Sequence, residues 1–268
     1  MDESTGAALP GEQPGRGRLA VRNGSWLEPL RRELDAAASP RTFFFRDDDA
    51  GWANRRFLAL LDIFAHYSVP LDVAVIPTAL SPKLAEGLRR RPEAERGLLA
   101  FHQHGFAHVN HEPTGRPCEF GPRRTPRAQR QDLQTGARLL RQLLGATALI
   151  FTPPWNRCTE TTGRCLLELG FRVLARDASA DPLELPGLQE LAVDIDWSPR
   201  RNGRRITRGA IGDQLAAAAR KGSSTGVMFH HALLGPRERE DVERLLALLA
   251  SHGNARCVPL SSPVAGGR

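Results

Sequence analysis

The chain has 268 residues and a formal net charge of +7, and its 41% hydrophobic and 25% charged residues are ordinary for a soluble globular protein. Its length suits one large domain or two small ones. The positive charge is almost entirely arginine, spread along the chain with modest clusters in 123–130 and 200–208. Spread arginine is more typical of solvated helix faces than of a nucleic-acid interface, so we expect no nucleic-acid partner.

The cysteines and the N-terminal residues predict a protein of the cytoplasm. None of the four cysteines stands in a C-x-x-C spacing, which excludes a zinc ribbon and a thioredoxin-type motif, and we predict free thiols in a reducing compartment. Residues 1–24 are polar and rich in Gly and Pro, so we predict a disordered extension without a secretory signal. No run of about 18 apolar residues occurs, and no membrane span is expected.

A short helix is predicted over 25–38, with Ser25 as its N-cap. After it, β-rich runs alternate with amphipathic helical runs. The predicted strands are 42–46, 71–76, 98–103, 148–152, 171–175, 190–194, 227–230 and 256–260. The predicted helices are 54–66, 82–91, 125–144, 160–169, 209–220 and 237–251.

This alternation predicts an α/β fold. Strands such as 71–76 and 148–152 are nearly continuous apolar runs, which is typical of strands covered on both faces in a parallel sheet. Strands and helices that alternate over about 220 residues indicate a (β/α) barrel or a doubly wound sheet. Six to eight repeats without a second domain favour a single barrel over 25–268.

Polar titratable residues gather after the predicted strands, where a parallel barrel builds its chemistry on one face. They are Asp47, Asp48 and Asp49 after the first strand, His102, His104, His108 and His111 after the third, 152–157 after the fourth, 194–197 after the sixth, and His230 and His231 after the seventh. Each alone could cap a helix or pack in a turn. Their concentration on one predicted rim indicates a single pocket.

The pocket residues have the chemistry of a metal site. Two neutral imidazoles and one carboxylate suit a divalent cation of the zinc type. His104 and His108 are four residues apart, which lets both rings face one point from a helical turn or tight loop. One of the three aspartates could complete the site, and another could take a proton from a bound water. His230 or His231 could protonate a leaving group.

Five motifs stand in order over residues 46–231: RDDDAG, HGFAH, FTPPWNR, DIDW and MFHH. They resemble the polysaccharide deacetylases, the NodB-homology group of carbohydrate esterases, and in particular a bacterial branch of uncharacterised members. The resemblance implies a distorted (β/α) barrel of about seven or eight parallel strands. It also implies a metal-dependent hydrolase that removes the N-acetyl group of an amino sugar in a polysaccharide or glycan precursor.

The resemblance also implies the roles of the metal-site residues. Asp48 would be the general base and Asp49 a metal ligand, although Asp47 could shift this register by one. His104 and His108 would be the other ligands. The metal would be zinc in the first place, with cobalt, nickel and manganese compatible with the same ligands.

The remaining site residues follow from the later motifs. His230 would be the general acid, because it directly ends its predicted strand, and Asp196 would orient it. The expected partner is an acetylated amino sugar or glycan, whose faces pack on aromatic rings. For both tryptophans of these motifs a place in the core is an equally good interpretation. The predicted substrate-binding residues are Trp155, Asn156, Arg157 and Trp197.

The chain departs from the family pattern at three places. Phe45 and Arg46 precede the aspartates where Thr-Phe is usual, Thr152 stands where the proline-rich motif usually begins with arginine, and His231 stands where aspartate often follows the late histidine. Arg157 could supply the missing cation from another place in its loop. These changes leave the metal site intact and affect the substrate and the tuning of the base.

Three alternatives remain. The chain could be a glycan-binding relative without turnover, because the arginine motif is altered. It could be a different metal-dependent amidohydrolase, since His102 and His104 form an H-x-H pair; that pair, however, follows the third predicted strand, and no lysine stands at a central strand end to bridge two metals. It could also be a basic scaffold protein that binds nucleic acid.

Overall fold

A computed structural model describes residues 26–198, 200–201 and 204–262 of the chain. The predicted disordered extension, 1–24, and the predicted N-cap, Ser25, lie outside these residues. The first helix is shorter than predicted: it begins after Leu27, with a proline in its first turn, and ends at Asp35. Proline is favoured there because the first helical N–H has no partner within the helix.

The described residues form alternating helices and strands. The helices are α1 (Glu28–Asp35), α2 (Asn54–Tyr67), α3 (Pro82–Arg89), α4 (Pro92–Glu95), α5 (Pro126–Leu144), α6 (Glu160–Glu168), α7 (Arg208–Arg220) and α8 (Pro236–Ser251). The strands are β1 (Arg41–Ala50), β2 (Leu71–Val75), β3 (Leu99–His104), β4 (Ile150–Thr152), β5 (Val173–Asp177), β6 (Gln189–Val193), β7 (Ile195–Asp196), β8 (Arg200–Arg201), β9 (Arg204–Arg205), β10 (Thr225–His230) and β11 (Ala255–Cys257).

The main sheet is a nearly closed parallel barrel, as predicted. Its strands are ordered β6-β5-β4-β3-β2-β1-β10-β7, and β11 pairs with the start of β1. The strands β6 and β7 stand at the two ends of this order, yet only Asp194 separates them in the chain. The sheet therefore curves back on itself, and the carboxyl ends of its parallel strands meet on one rim.

Each predicted strand and helix is present to within a few residues, and the periodicity that predicted them explains the packing. In α2 the helically spaced residues Phe57, Leu60, Leu61 and Phe64 are buried against the barrel. The short elements α4, β7, β8 and β9 were not predicted, because runs of two to four residues carry no usable period.

The strand β1 differs from the prediction in a way that affects the site. It was predicted to end at Arg46, but it continues to Ala50 and includes all three aspartates. Its register against β2 shifts between Asp47 and Ala50, and Asp49 has a positive φ of 70°. Such a bulge re-aims side chains that would otherwise alternate strictly across the sheet.

No helix in residues 26–198, 200–201 and 204–262 has both the length and the apolar content needed to cross a bilayer. The apolar core lies between the barrel and its helices and includes Phe45, Phe64 and Phe229, whose rings are in mutual contact. A smaller cluster around Phe151 packs under α5 and α6. These cores leave the polar rim of the barrel as the place for chemistry.

Candidate metal centre

Asp49, His104 and His108 converge at the rim of the barrel. The Oδ1 atom of Asp49 lies 3.1 Å from Nε2 of His104 and 3.2 Å from Nε2 of His108. One ligand atom from each residue lies within 4.8 Å of the others. This is the set of two imidazoles and one carboxylate that the sequence predicts for a divalent cation.

The donor atoms of these residues fit a metal ion. Nδ1 of His104 lies 3.0 Å from the carbonyl oxygen of Thr152. A carbonyl only accepts hydrogen bonds, so Nδ1 carries the proton, and in the neutral ring Nε2 presents a lone pair to Asp49. Lone pairs of a carboxylate and an imidazole facing each other at 3.1 Å are reconciled by a cation between them or by an additional proton.

The electrostatics of the two residues follow from this contact. Burial raises the pKa of Asp49, but the hydrogen bonds and charges of His104 and His108 outweigh it and hold that pKa well below its usual range. Burial lowers the pKa of His104, but the contacts with Asp49 and the charge of Asp48 outweigh it and raise that pKa. The pocket therefore favours an ionised carboxylate and positive charge beside it.

The loop that brings His108 to His104 is held by a buried glutamate, which sequence analysis did not identify. Glu119 is 1% exposed and accepts hydrogen bonds from the backbone N–H groups of Phe106 (3.0 Å), Ala107 (2.7 Å) and Val109 (3.4 Å). Gly105, at φ 57°, leaves the room that Glu119 needs, since a Cβ there would lie 2.1 Å from its Oε2. No short-range pattern links this carboxylate to the H-x-x-x-H loop.

Two tryptophans lie against the ring of His108. The ring centroid of Trp155 is 4.4 Å from that of His108, and the centroid of Trp52 is 5.0 Å away on a different element. Trp155, at φ 54°, belongs to the 3₁₀ turn Pro154–Asn156 that follows β4. Trp155 was predicted at the site, whereas Trp52, 43% exposed just after β1, was missed.

Asp48 is paired with a buried arginine on its own strand. Arg46 Nε lies 2.8 Å from Oδ1 of Asp48, and Nη2 donates to Oδ2 at 2.9 Å. Burial raises the pKa of Asp48, but the Arg46 guanidinium, with His104 and His230, outweighs it and lowers that pKa. The cation beside Asp48 thus comes from Arg46, whereas Arg157 had been named as one residue that could replace the arginine missing at Thr152.

Asp47 is paired with His231 in the interior. Its Oδ2 lies 2.7 Å from Nδ1 of His231, and its Oδ1 accepts the backbone N–H of His231 at 3.0 Å. Nε2 of His231 donates to the carbonyl of Trp52 at 2.8 Å. Burial raises the pKa of Asp47, and it lowers that of His231, but Asp47 outweighs it and the net shift is upward. Asp47 is therefore occupied away from the two ligand histidines.

His230 lies beside the aspartates, at the end of β10. It is the register partner of Asp48 in the β1–β10 pairing, which places it next to the carboxylates of β1. Asp196 is half-buried, and its Oδ1 accepts the backbone N–H of Ser198 at 2.9 Å. The orienting role of Asp196 toward His230 stays a prediction.

Two of the candidate residues lie away from the pocket. Trp197 is 1% exposed, and its ring packs against Trp26, Phe229 and the guanidinium of Arg208. The structure therefore places Trp197 in the core and corrects the prediction that it lines the pocket. His102 is fully buried, its Nε2 contacts Oγ1 of Thr152 at 2.9 Å, and burial lowers its pKa to about 3. It stands outside the ligand group, contrary to an amidohydrolase-like H-x-H pair.

A groove of 570 Å³ extends from Trp155 across the carboxyl ends of β4 and β5. This volume is in the range of about 300–1,000 Å³ that ligand sites usually have. Among the predicted substrate-binding residues, the groove is lined by Trp155, Asn156 and Arg157. Its other walls come from the loops 112–122 and 176–183. It therefore begins at the residue that contacts the ligand His108.

No protein-family model matches the chain, and no curated protein matches it. Solved structures do match over most of its length. The chain has the polysaccharide deacetylase fold. A Mycobacterium smegmatis protein provisionally described as a polysaccharide deacetylase matches with a TM-score of 0.62 and 18% identity, covering 84% of this chain and 89% of that one.

Two further structures with this fold have more specific descriptions. A family 4 acetyl xylan esterase from Clostridium thermocellum, in complex with a cobalt ion, has a TM-score of 0.54 and 17% identity and covers 82% of this chain and 88% of that one. The catalytic domain of a peptidoglycan N-acetylglucosamine deacetylase from Eubacterium rectale has a TM-score of 0.54 and 15% identity, with coverages of 87% and 98%. The predicted fold is thus confirmed.

Proposed function

We propose that the protein is a metal-dependent deacetylase that hydrolyses the N-acetyl group of an amino sugar or glycan. The observation that carries the proposal is the convergence of Asp49, His104 and His108 on the barrel rim, beside a buried carboxylate, Asp48, that is not a ligand. A carboxylate that could hold a cation and a second carboxylate that could take a proton suit metal-assisted hydrolysis of an acyl group. The fold of known carbohydrate deacetylases supports the same assignment.

Asp49, His104 and His108 would hold a divalent ion, and we propose zinc. When bound, such an ion acts as a Lewis acid toward the acetyl carbonyl and makes a coordinated water more acidic. The hydrogen bond from His104 Nδ1 to Thr152 keeps the Nε2 lone pair directed at the site. Cobalt in a similar structure shows that this fold accepts other divalent ions, so nickel and manganese belong in the same screen.

The remaining residues would move protons and hold the substrate. Asp48 would accept a proton from the attacking water, since each carboxylate oxygen has two lone pairs and Arg46 uses only part of this capacity. His230, beside Asp48 across the β1–β10 pairing, would protonate the departing amine, and Asp196 would orient it.

The groove would hold the sugar chain. Trp155 would pack against a sugar face, since its ring already borders the ligand His108. Arg157 would bind a carboxylate or hydroxyl group of the glycan from the groove wall, and Asn156 would support the turn between them. The predicted cytoplasmic location stays a prediction, which fractionation of cells would test.

The first experiment measures metal content and acetate release together. The wild type should bind about one divalent ion per chain and release acetate from N-acetylated oligosaccharides, and the His104→Ala, His108→Ala double variant should do neither. An O-acetylated xylan is assayed in parallel, because one similar structure is an acetyl xylan esterase. Release from the ester alone would change the proposed bond, and a metal-loaded protein that binds glycans without turnover would contradict the enzyme assignment.

A further inference from the structure

Arg46, the first residue of the RDDDAG motif, is a fully buried arginine for which no role was predicted, and it contacts its own strand and two other elements. It lies on β1 and reaches Asp48 on the same strand, Asn156 in the turn after β4 and Met228 on β10. We propose that Arg46 is a positioning residue of the reaction, which fixes the carboxylate of Asp48 and the groove turn relative to each other. This inference rests on the proposed deacetylase function.

The contact with Asp48 fixes the position of its carboxylate. Nη2 donates to Oδ2 at 2.9 Å, and Nε lies 2.8 Å from Oδ1 as an ion pair without hydrogen-bond geometry. Since Nη2 also donates to Asn156, the planar guanidinium holds this carboxylate from one fixed side, which the single nitrogen of a lysine does less well. A base that must meet a water held at a neighbouring ligand site needs this restriction, because small misplacements are costly in rate.

The contact with Asn156 extends the same constraint to the groove. Nη2 of Arg46 donates to Oδ1 of Asn156 at 2.7 Å. Asn156 and Trp155 have consecutive positive φ values of 57° and 54°, a conformation that non-glycine residues adopt at a cost and keep only where surrounding contacts hold it. Trp155 in this turn touches the ligand His108. One guanidinium therefore ties the groove wall to the proposed base.

A purely structural role explains the arrangement less well. A buried ion pair contributes little net stability compared with apolar residues of similar size, because both charges lose their hydration. In addition, Nε and Nη1 of Arg46 and Oδ1 of Asp48 are buried without a hydrogen-bond partner among the described residues, and such groups cost stability. An apolar side chain at position 46 and an uncharged one at position 48 would be sufficient for folding. Retaining both charges is explained by their use in the reaction.

The test compares Arg46→Met, Arg46→Lys, Asp48→Asn and the Arg46→Met, Asp48→Asn double variant. Arg46→Met should lower kcat by about 100-fold and raise KM, because both base and groove turn lose their common anchor. Arg46→Lys should recover part of kcat, since lysine keeps the positive charge but lacks the planar guanidinium. In the Asp48→Asn background, removing Arg46 should lower kcat by no more than about twofold further. Metal content should stay unchanged throughout.

Arg208→Met is the matched control, because Arg208 also forms an ion pair with a carboxylate, Asp241, but lies outside the site. It should lower Tm and leave kcat unchanged. The inference is overturned if folded, metal-loaded Arg46→Met keeps kcat within about threefold of wild type. It is also overturned if Arg46→Met lowers kcat by the same factor in the wild-type and in the Asp48→Asn background. A wild type that deacetylates nothing would instead contradict the proposed function. Non-additive Tm losses from the two single substitutions would then show only that Arg46 and Asp48 interact in the fold, and the role in the reaction would fall with the proposed function.

Discussion

Three consecutive aspartates on β1 are neutralised in two different ways. Asp47 contacts His231 and Asp48 contacts Arg46, in a part of the barrel that solvent does not reach. Asp49 lies one residue further, at the rim, and its partners are two imidazoles that carry the lone-pair nitrogens of a ligand site. Two of the three neighbouring carboxylates thus have partners from the protein interior, and the third belongs to the candidate metal site.

Asp49 differs from Asp47 and Asp48 in its backbone conformation as well as in the side chains that it contacts. Along a regular strand, positions 47 and 49 would face the same side. The register shift after Asp47 and the positive φ of Asp49 turn this last carboxylate toward His104 and His108 instead. The comparison implies that substitutions at the three positions should have distinct effects, although the residues are chemically identical.

Asp49→Ala should have the largest effect, because it removes the ligand that both histidines share. We expect bound metal to fall from about one ion per chain to none and acetate release to fall about a thousandfold or more, since a Lewis acid contributes several kcal/mol. Metal analysis and turnover are measured on the same samples. Asp62→Ala, an exposed carboxylate on α2, is the control. Full metal binding by Asp49→Ala would remove the distinction between Asp49 and its neighbours.

Asp48→Asn should separate proton transfer from metal binding. Asparagine keeps the shape of the side chain but cannot act as a base, so kcat should fall by about 10²–10⁴-fold while the metal content stays that of the wild type. The measurement is kcat with metal content determined in parallel. Loss of the ion together with activity would show that Asp48 belongs to the ligand group, which would shift the assignment of the aspartates by one residue.

Glu119→Gln tests whether metal binding depends on the loop that carries the ligand His108. Both carboxylate oxygens of Glu119 accept backbone N–H groups of the loop 106–109, and an amide NH₂ cannot accept in their place. Metal affinity should weaken about 10–100-fold, as for other groups that orient ligands. Competition with a chelator measures it. Glu168→Gln, at an exposed salt bridge, is the control, and an unchanged affinity would show that His108 is held by other contacts.

Some residues of the site could be predicted from the sequence and others could not. His104 and His108 were found because their spacing is local, and the barrel because its apolar runs are periodic. Arg46 and Glu119 were missed because residue type does not show that a charged side chain is buried, although Arg46 lies only two residues from Asp48 and Glu119 only 10–13 residues from the loop it holds. Residue type did not settle whether a tryptophan lines a pocket or a core, so Trp197 was placed at the site although it packs beside Phe229. Trp52 follows the aspartates directly and could have been found from that position.

The departures from the family pattern have a physical interpretation in the structure. Where the motif arginine is replaced by Thr152, a guanidinium reaches Asp48 from its own strand, β1, instead. Where aspartate is usual, His231 pairs with Asp47, the additional aspartate of the run. The two exchanges keep each buried charge paired. The sequence showed that the residues had changed, but the partners that compensate them could be recognised only in three dimensions.

Asp72 is a further buried carboxylate of the barrel, and unlike the aspartates of β1 it forms no ion pair with an arginine or a histidine in the part of the chain that the structure describes. It lies on β2 opposite Arg46 in the register, its Oδ2 accepts the backbone N–H of Leu260 at 2.6 Å, and its Oδ1 has no hydrogen-bond partner among the described residues. Burial raises its pKa from 3.8 to about 7, although the Leu260 hydrogen bond acts in the opposite direction. It therefore keeps its proton where Asp49 loses it.

The smallest predicted effect is the pH dependence that Asp72 adds to stability. Between pH 4 and 7 the folded chain holds this proton and the unfolded chain does not, so its contribution to the free energy of unfolding decreases as pH rises, by at most about 1.4 kcal/mol per pH unit. Asp72→Asn should remove this slope. Urea unfolding at several pH values compares the two chains in the metal-free Asp49→Ala background, which eliminates pH-dependent metal binding. Equal slopes would mean that Asp72 is ionised in the fold and that burial alone does not keep a carboxylate of this barrel neutral.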